Sequence, residues 1–113
     1  MKSPENIQSW HAHVYYDEPR LSQATKLCEA ARDNLPVVMG RLHQKPVGPH
    51  PMWSCQLAFA NDEFAEVVVW LNMHRAGLTV FVHPNTGDAL VDHRDRAIWL
   101  GDSASLELSV FTG

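Results

Sequence analysis

Four segments of strand character and two of helical periodicity succeed one another in the order βαββαβ, which predicts an α+β fold. This order is that of the ferredoxin-like sandwich, in which a four-stranded antiparallel sheet carries two helices on one face. Alternating apolar and polar residues mark the strands, and apolar residues three and four positions apart mark the helices. The residues after Gly87 form a C-terminal extension of this unit.

The first strand and the first helix follow a polar lead-in over residues 1–6. Alternation and aromatic residues predict a strand from Ile7 to Tyr16. Pro19 lies in the first turn of the next helix, where proline is tolerated, and Pro36 ends that helix. One apolar stripe at helical spacing consists of Leu21, Ala24, Leu27, Cys28, Ala31 and Leu35.

The second and third strands are predicted over Val37 to Leu42 and Met52 to Phe59, with a proline-rich turn between them. In the second helix, Asn61 or Asp62 is the expected N-terminal cap and Gly77 the C-terminal stop. The buried stripe of this helix consists of Phe64, Val67, Val68 and Leu71.

The fourth strand is predicted over Leu78 to His83, and residues 84–88 read as a turn. The extension contains a polar segment and a short apolar piece from Ala97 to Leu100. Its last part, Leu106 to Phe111, is a possible final strand.

Length and composition limit the class of protein. We expect residues 1–113 to form one domain, and the 45% hydrophobic content is that of an ordinary globular protein. The net charge of −4 and the lack of a basic stripe argue against a nucleic-acid partner. No apolar stretch is long enough to span a membrane, and residues 1–9 contain no signal-peptide pattern. Cys28 and Cys55 match no zinc spacing, so we expect buried thiols in a cytoplasmic protein.

The period of two in each strand sorts the side chains onto two faces of the sheet. The apolar set, which includes Val38 and Leu42 in the second strand, is expected under the helices. The other set is expected on the open face: His11, His13, Tyr15, Arg41, His43, Ser54, Gln56, Thr79, Phe81 and His83. Because an open sheet face is a common place for self-association, we also expect a homodimer through or around it.

Histidines on the open face have the spacing of metal ligands. His11 and His13 point the same way from the first strand, and two adjacent imidazoles suit a divalent cation. In the ferredoxin-like topology the first strand lies between the third and fourth strands, so His83 is expected beside His11. The metal set is therefore His11, His13 and His83, with His50 as a fourth ligand or as an acid/base. Imidazole suits iron, zinc, copper and nickel alike.

Other candidates have plainer interpretations. A two-histidine, one-carboxylate site would need Asp92, Asp95 or Glu107, none of which has a distinguishing spacing. His43 reads as a solvated strand residue, and His74 as a cation suited to a helix C-terminus.

Several motifs in the right order resemble one known family. His11-Ala12-His13-Val14-Tyr15-Tyr16 is similar to the His-x-His-x-Tyr-[Phe/Tyr] signature of the DOPA 4,5-dioxygenase family. The resemblance extends through the segments at 48–51, 81–88 and 92–101. The family pattern has a second histidine where this chain has Arg96. The role of that histidine in the family is therefore not carried over to this chain.

The resemblance implies a compact, dimeric protein that uses non-haem iron(II) and molecular oxygen for extradiol cleavage of catechols such as DOPA, caffeate or dihydroxybenzoate. On this interpretation His11, His13 and His83 bind the metal. His50 acts as the acid/base, and Tyr15 hydrogen-bonds substrate or oxygen. Arg41, His93 and Arg96 are the candidate substrate contacts, and zinc or nickel could replace iron in a crystal.

Two other functions remain open at this level. A ferredoxin-like dimer that binds a metal or an aromatic acid without turnover would explain the histidines nearly as well. A cofactor-free monooxygenase on the same fold would work fully in the presence of a chelator. Oxygen uptake with and without a chelator separates these classes from an iron dioxygenase.

Overall fold

A computed structural model of the chain describes residues 7–112, so the lead-in expected over residues 1–6 lies outside the described part. The strands are β1 (Ser9–Tyr16), β2 (Val38–Leu42), β3 (Trp53–Phe59), β4 (Val80–Asn85) and β5 (Ile98–Leu100). The α-helices are α1 (Leu21–Asn34), α2 (Phe64–His74) and α3 (Ala89–Arg94). Short 3-10 turns occur at Glu18–Arg20, Asn61–Glu63 and Leu108–Phe111.

The sheet is antiparallel, in the order β2-β3-β1-β4-β5, and it confirms the α+β, ferredoxin-like fold class. Two details of the prediction were wrong. Over residues 7–112 the sheet has five strands, because β5 pairs with the edge of β4 that a four-stranded sheet would leave free. The final strand expected at Leu106 to Phe111 is absent, and Leu108–Phe111 is a 3-10 turn instead.

The hydrophobic core lies between the sheet and helices α1 and α2. Alternate residues of β1, namely Ala12, Val14 and Tyr16, are buried there, as the strand pattern predicted. Cys28 of α1 and Cys55 of β3 are free thiols in this core. None of the helices within residues 7–112 has the length and apolar character needed to cross a bilayer. A cytoplasmic location stays a prediction.

A β-bulge in β2 overturns one face assignment. The pairing with β3 shifts between Met39 and Leu42, so β2 has one more residue than its partner over this stretch. An extra residue reverses the alternation beyond it. Met39 and Leu42 therefore pack against the core, whereas Val38, expected there, is 73% exposed.

The ends of α2 also differ from the prediction. Neither Asn61 nor Asp62 caps the helix, because both lie in the 3-10 turn that precedes it. The side-chain oxygen of Asn61 instead accepts a hydrogen bond of 2.7 Å from the Trp10 indole. At the other end, Ala76 and Gly77 both have positive φ, so the left-handed turn begins one residue before the predicted glycine.

The turn expected over residues 84–88 starts later, because β4 continues through Asn85. The polar segment after it contains the third helix, which the sequence analysis left unassigned. Asp88 is the N-cap of α3, and its carboxylate accepts a hydrogen bond from the backbone N–H of Val91 at 3.3 Å. Helix α3 packs against β4, and the C-terminal turn contacts α3.

Candidate metal centre

Strand pairing brings three histidines together. In the antiparallel register of β1 and β4, His11 lies opposite His83, and His13 follows two residues later on the same face. One nitrogen from each ring, in His11, His13 and His83, lies within 4.8 Å of the others. Such a cluster of neutral imidazoles could hold a divalent cation. Within residues 7–112 no carboxylate joins the group.

Backbone contacts define the state of the His83 ring. Its Nδ1 lies 2.9 Å from the carbonyl oxygen of Pro84, and a carbonyl can only accept, so Nδ1 carries the hydrogen. In a neutral ring, Nε2 is then a bare acceptor that lies 3.0 Å from Nε2 of His13. A backbone carbonyl on the far nitrogen is the usual partner that orients a metal-binding histidine.

Burial keeps these imidazoles neutral. Burial and the neighbouring His93 lower the pKa of His11, and burial together with four nearby histidines lowers the pKa of His13 well below its usual value. For His83, burial lowers the pKa to about 3, although the bond to Pro84 opposes the change. Ligand nitrogens must be unprotonated to bind a metal. At neutral pH the three rings are therefore in the charge state that metal binding requires.

His50 and Tyr15 form a hydrogen-bonded pair beside the cluster. His50 is buried on the turn before β3, and its Nδ1 lies 2.7 Å from the Tyr15 hydroxyl. The His50 ring is also 4.1 Å from that of His13, measured between centroids. Burial, followed by the charges of neighbouring histidines, lowers the pKa of His50 to about 4. Burial raises the pKa of Tyr15, so its hydroxyl stays protonated.

His93 packs against His83, one of the trio formed by His11, His13 and His83. Its ring is 3.9 Å from that of His83 and 4.4 Å from that of Phe111. The His93 Nδ1 donates to the carbonyl of Ala89 at 2.7 Å, which leaves Nε2 free as an acceptor. Sequence reasoning missed Phe111, because the segment that carries it was expected to be a strand.

Arg96 and Asp92 belong to a separate polar network. The buried carboxylate of Asp92 accepts hydrogen bonds from the Thr86 N–H, the Thr86 hydroxyl and the Arg96 guanidinium, each at 2.8–3.0 Å. Arg96 also donates to the Thr86 hydroxyl at 2.9 Å. Asp92, which the sequence left as a possible metal ligand, therefore links the end of β4 to α3.

The remaining candidates lie farther out. Asp95 pairs with Arg94 on the surface, and Glu107 is exposed and accepts from Ser109. Arg41 is exposed on β2, with β3 between it and the strand that carries His11 and His13. His74 is exposed at the end of α2, in the helical layer on the other side of the sheet.

Aromatic rings border the cluster. Trp99 of β5 stacks on Phe81 of β4, with ring centroids 4.6 Å apart and planes 22° from parallel. The Tyr15 ring lies 6.1 Å from that of Trp99. The histidines therefore have apolar, planar surfaces on one side. The fold and the site together define an antiparallel α+β protein with a histidine-rich centre on the sheet face away from α1 and α2.

Comparison with known proteins assigns the family. A sequence model described as the Dopa 4,5-dioxygenase family matches residues 10–110. The chain is 33% identical over 112 residues to a DOPA 4,5-dioxygenase from Amanita muscaria, covering 91% of this chain and 49% of that protein. It is also 32% identical over 114 residues to an uncharacterized 21.2 kDa protein from Botryotinia fuckeliana, covering 90% of this chain and 62% of that protein.

A solved structure agrees with this assignment. A protein from Nostoc punctiforme, described as a candidate dioxygenase, superposes with a TM-score of 0.95 at 38% identity. The match covers 99% of this chain and 97% of that one. The chain belongs to the DOPA 4,5-dioxygenase family. It spans about half to three fifths of the length of the two curated relatives.

Proposed function

We propose that this chain is a non-haem iron(II) dioxygenase that opens the ring of a catechol by extradiol cleavage with molecular oxygen. Catechols of the DOPA, caffeate or dihydroxybenzoate type are the substrates we infer. The observation that carries the proposal is the trio of His11, His13 and His83, with one nitrogen of each ring within 4.8 Å of the others, in a member of this family.

The donor set fits a divalent transition metal. Imidazole nitrogens bind such an ion at about 2.0–2.1 Å, so two nitrogens that held the same ion would lie within about 4 Å of each other. The Nε2 atoms of His13 and His83 are 3.0 Å apart, and burial keeps both rings neutral. A bound iron(II) would supply a Lewis acid and a template for catechol and oxygen. Zinc or nickel would fit the same nitrogens.

His50 is the group we assign to proton transfer. With a pKa of about 4 it is neutral at pH 7 and can accept the proton of a phenol on Nε2, while Nδ1–H donates to the Tyr15 oxygen. Tyr15 thereby holds the ring in one orientation and stays protonated itself. A protonated His50 can later donate this proton to the product as it forms.

Substrate contacts follow from the surroundings of the trio. A planar catechol ring can pack on the apolar surfaces of Phe81, Trp99 and Phe111. The free Nε2 of His93 can accept a hydrogen bond from a substrate hydroxyl. The candidate partners of a substrate carboxylate are the exposed Arg41 and Arg96, whose side chain is 40% exposed and donates a hydrogen bond to Asp92.

The test is anaerobic reconstitution with iron(II), followed by oxygen and a panel of catechols. We expect oxygen consumption together with a yellow semialdehyde-type product, and loss of both on adding a chelator. His13→Ala should lose metal uptake at least tenfold while the protein stays folded by circular dichroism. His74→Ala, on the opposite side of the sheet, is the matched control and should bind metal as the wild type does.

Each alternative outcome has a definite meaning. Stoichiometric metal binding without oxygen uptake on any catechol would refute the dioxygenase and favour a non-catalytic binding protein. Full oxygen uptake in excess chelator would instead indicate a cofactor-free oxygenase. Unchanged metal content in both His11→Ala and His13→Ala would refute the metal-site assignment.

A further inference from the structure

A cleft between α1 and α2 lies in the helical layer, on the side of the sheet away from the histidine centre. It has a volume of 260 Å³, and its apolar wall includes Leu27 and Ala30 of α1, Trp70 of α2, and Leu78 before β4. A protein cavity of about 150 Å³ can hold one benzene molecule. This cleft therefore has room for a single aromatic ring with a short substituent.

Every ionisable side chain that lines the cleft is basic, although the whole chain has a net charge of −4. Lys26 lies on α1, and His74 and Arg75 lie at the end of α2. None of the ion pairs found within residues 7–112 involves Lys26 or Arg75. An anionic group at the rim of the cleft would therefore meet cations that are not already paired with a carboxylate there.

The backbone at the end of α2 does not oppose an anion as strongly as a bare helix end would. The C-terminus of a helix carries partial negative charge on its last carbonyl groups. Here the Trp70 carbonyl accepts a hydrogen bond from His74 Nδ1 at 2.7 Å. In the turn that follows, the Ala76 carbonyl accepts one from the Gln23 side-chain amide at 2.8 Å. These donors compensate part of the negative end of the helix dipole where the cleft opens.

Two of the basic side chains are held in fixed orientations. The His74 ring stacks on the Trp70 indole, with ring centroids 4.3 Å apart and planes 19° from parallel. Because its Nδ1 is bonded to a carbonyl, Nε2 is the nitrogen left for another partner. Arg75 donates from Nη1 to the Leu78 carbonyl at 3.3 Å and from Nε to the Asn72 side-chain oxygen at 3.4 Å. Side chains that are already ordered lose less entropy when a ligand binds.

We propose that this cleft binds a small aromatic carboxylate, with the ring against the apolar wall beside Trp70 and the carboxylate at the rim near Lys26 and Arg75. The ring gains aromatic contact and burial, and the carboxylate gains charge-assisted hydrogen bonds. An inorganic anion would leave the apolar wall unused, and an amine would be repelled by the basic rim.

The proposal does not depend on the dioxygenase activity, because the cleft and the histidine centre lie on opposite sides of the sheet. The homodimer that the sequence predicted concerns the histidine side and stays a prediction. Two tryptophans report on the two places separately. Trp70 lines the cleft, and Trp99 stacks on Phe81 beside the histidines.

The first experiment adds benzoate to the full chain and follows the indole N–H signals of the four tryptophans in two-dimensional proton–nitrogen NMR spectra. Benzoate has the ring and the carboxylate but lacks the two hydroxyls with which a catechol would chelate a metal. We expect the Trp70 signal to shift saturably, with a Kd on the order of 1 mM for so small a ligand. Benzyl alcohol and inorganic phosphate each lack one of the two recognised groups and should bind about tenfold more weakly.

Four outcomes would overturn the proposal. One is the lack of a saturable Trp70 shift, including the case in which benzoate shifts only Trp99. The second and third are equal affinities for benzoate and benzyl alcohol, or for benzoate and phosphate, since the rim or the wall would then play no part. The fourth is a Trp70 signal that shifts with protein concentration in the same way without benzoate, because a second copy of the chain would then cover the cleft.

The second experiment changes the charge and the shape of the cleft. Lys26→Glu should weaken benzoate binding by about tenfold. Lys45→Glu makes the same charge change on an exposed turn outside the cleft, and should alter the Kd by less than about twofold because distant exposed charges are screened by salt. Ala30→Leu fills the cleft and should prevent binding, whereas Ala65→Leu adds the same side chain on the exposed side of α2 and should not.

Circular dichroism of each variant checks that the fold is kept. Equal weakening by Lys26→Glu and Lys45→Glu would show that benzoate responds to net charge rather than to this cleft. Unchanged binding by a folded Ala30→Leu variant would show that the ring lies elsewhere. Either result would contradict the site.

Discussion

At the scale of single residues, two histidines of the centre are oriented by hydrogen-bond partners outside the group of His11, His13 and His83. The carbonyl of Pro84 orients His83, and the hydroxyl of Tyr15 orients His50. The partner of His83 follows from the backbone path, since Pro84 is the next residue along β4. Tyr15 instead meets His50 from 35 positions away in the sequence. Orientation by such partners reduces the rearrangement needed when a ligand binds.

Arg96 is expected to contribute to stability through Asp92. Arg96→Gln removes the cation beside the buried carboxylate of Asp92, which keeps its hydrogen bonds from the Thr86 N–H and hydroxyl. We expect the free energy of unfolding to fall by about 1–3 kcal/mol. Arg94→Gln is the matched control, because its pair with Asp95 is about half exposed on both sides. That change should cost less than about 1 kcal/mol. Urea denaturation of both variants checks the difference, and equal losses would contradict it.

At the scale of elements, α3 and the C-terminal turn distinguish this molecule from a plain βαββαβ sandwich. Helix α3 carries His93 toward His83, and the network of Thr86, Asp92 and Arg96 fastens the helix to the end of β4. The C-terminal segment is attached by a hydrogen bond of 2.9 Å from the Glu107 N–H to the carbonyl of Pro49, beside His50. These two additions shape the surroundings of the histidine trio.

The N-cap of α3 provides a test at this scale. Asp88→Ala removes the side-chain acceptor for the Val91 N–H and should cost about 1 kcal/mol. Asp88→Asn keeps an oxygen acceptor and should restore most of that loss. Urea denaturation measures both variants. A loss that is the same for alanine and asparagine would show that the cap does not stabilise α3.

At the scale of the whole molecule, stability should depend on pH through the buried histidines. The folded-state pKa values of His50 and His83 are about 4 and about 3, below the unfolded value near 6.5. Below pH 6.5 the unfolded chain therefore binds protons that the folded protein does not. Stability is fully present above that pH and falls as the pH decreases.

For each such histidine, the free energy of unfolding should be about 2 kcal/mol lower at pH 5 than at pH 7. The measurement is urea denaturation of metal-free protein between pH 7.5 and pH 4.5. Because asparagine cannot titrate in this range, the stability of His50→Asn should depend less steeply on pH than that of the wild type. The difference corresponds to up to about one proton taken up on unfolding. A stability that does not change between pH 7 and pH 5 would contradict the assignment of neutral, buried rings.

Much of the fold could be predicted from periodicity alone. The alternation in β1, β3 and β4 sorted the side chains onto the two faces of the sheet as the structure has them, because these central strands pair without interruption. The face away from α1 and α2 is itself largely covered, since His13, Tyr15 and Phe81 are buried on it. The alternation was misleading in β2, because this edge strand contains a β-bulge that the sequence pattern does not reveal. It also failed after Gly87, where β5 is only three residues long and too short for a periodic signal.

The sequence by itself determined the spacing of His11 and His13, the strand order that brings His83 beside them, and the family motifs. These depend on local periodicity and on a topology with few alternatives. Only the tertiary structure decided which distant partners two of the rings have: Tyr15 for His50, and Phe111 for His93. It also joined Arg96 to Asp92 and left Val69 and Met73 exposed. Such features depend on rotamers and on tertiary packing, which no local pattern encodes.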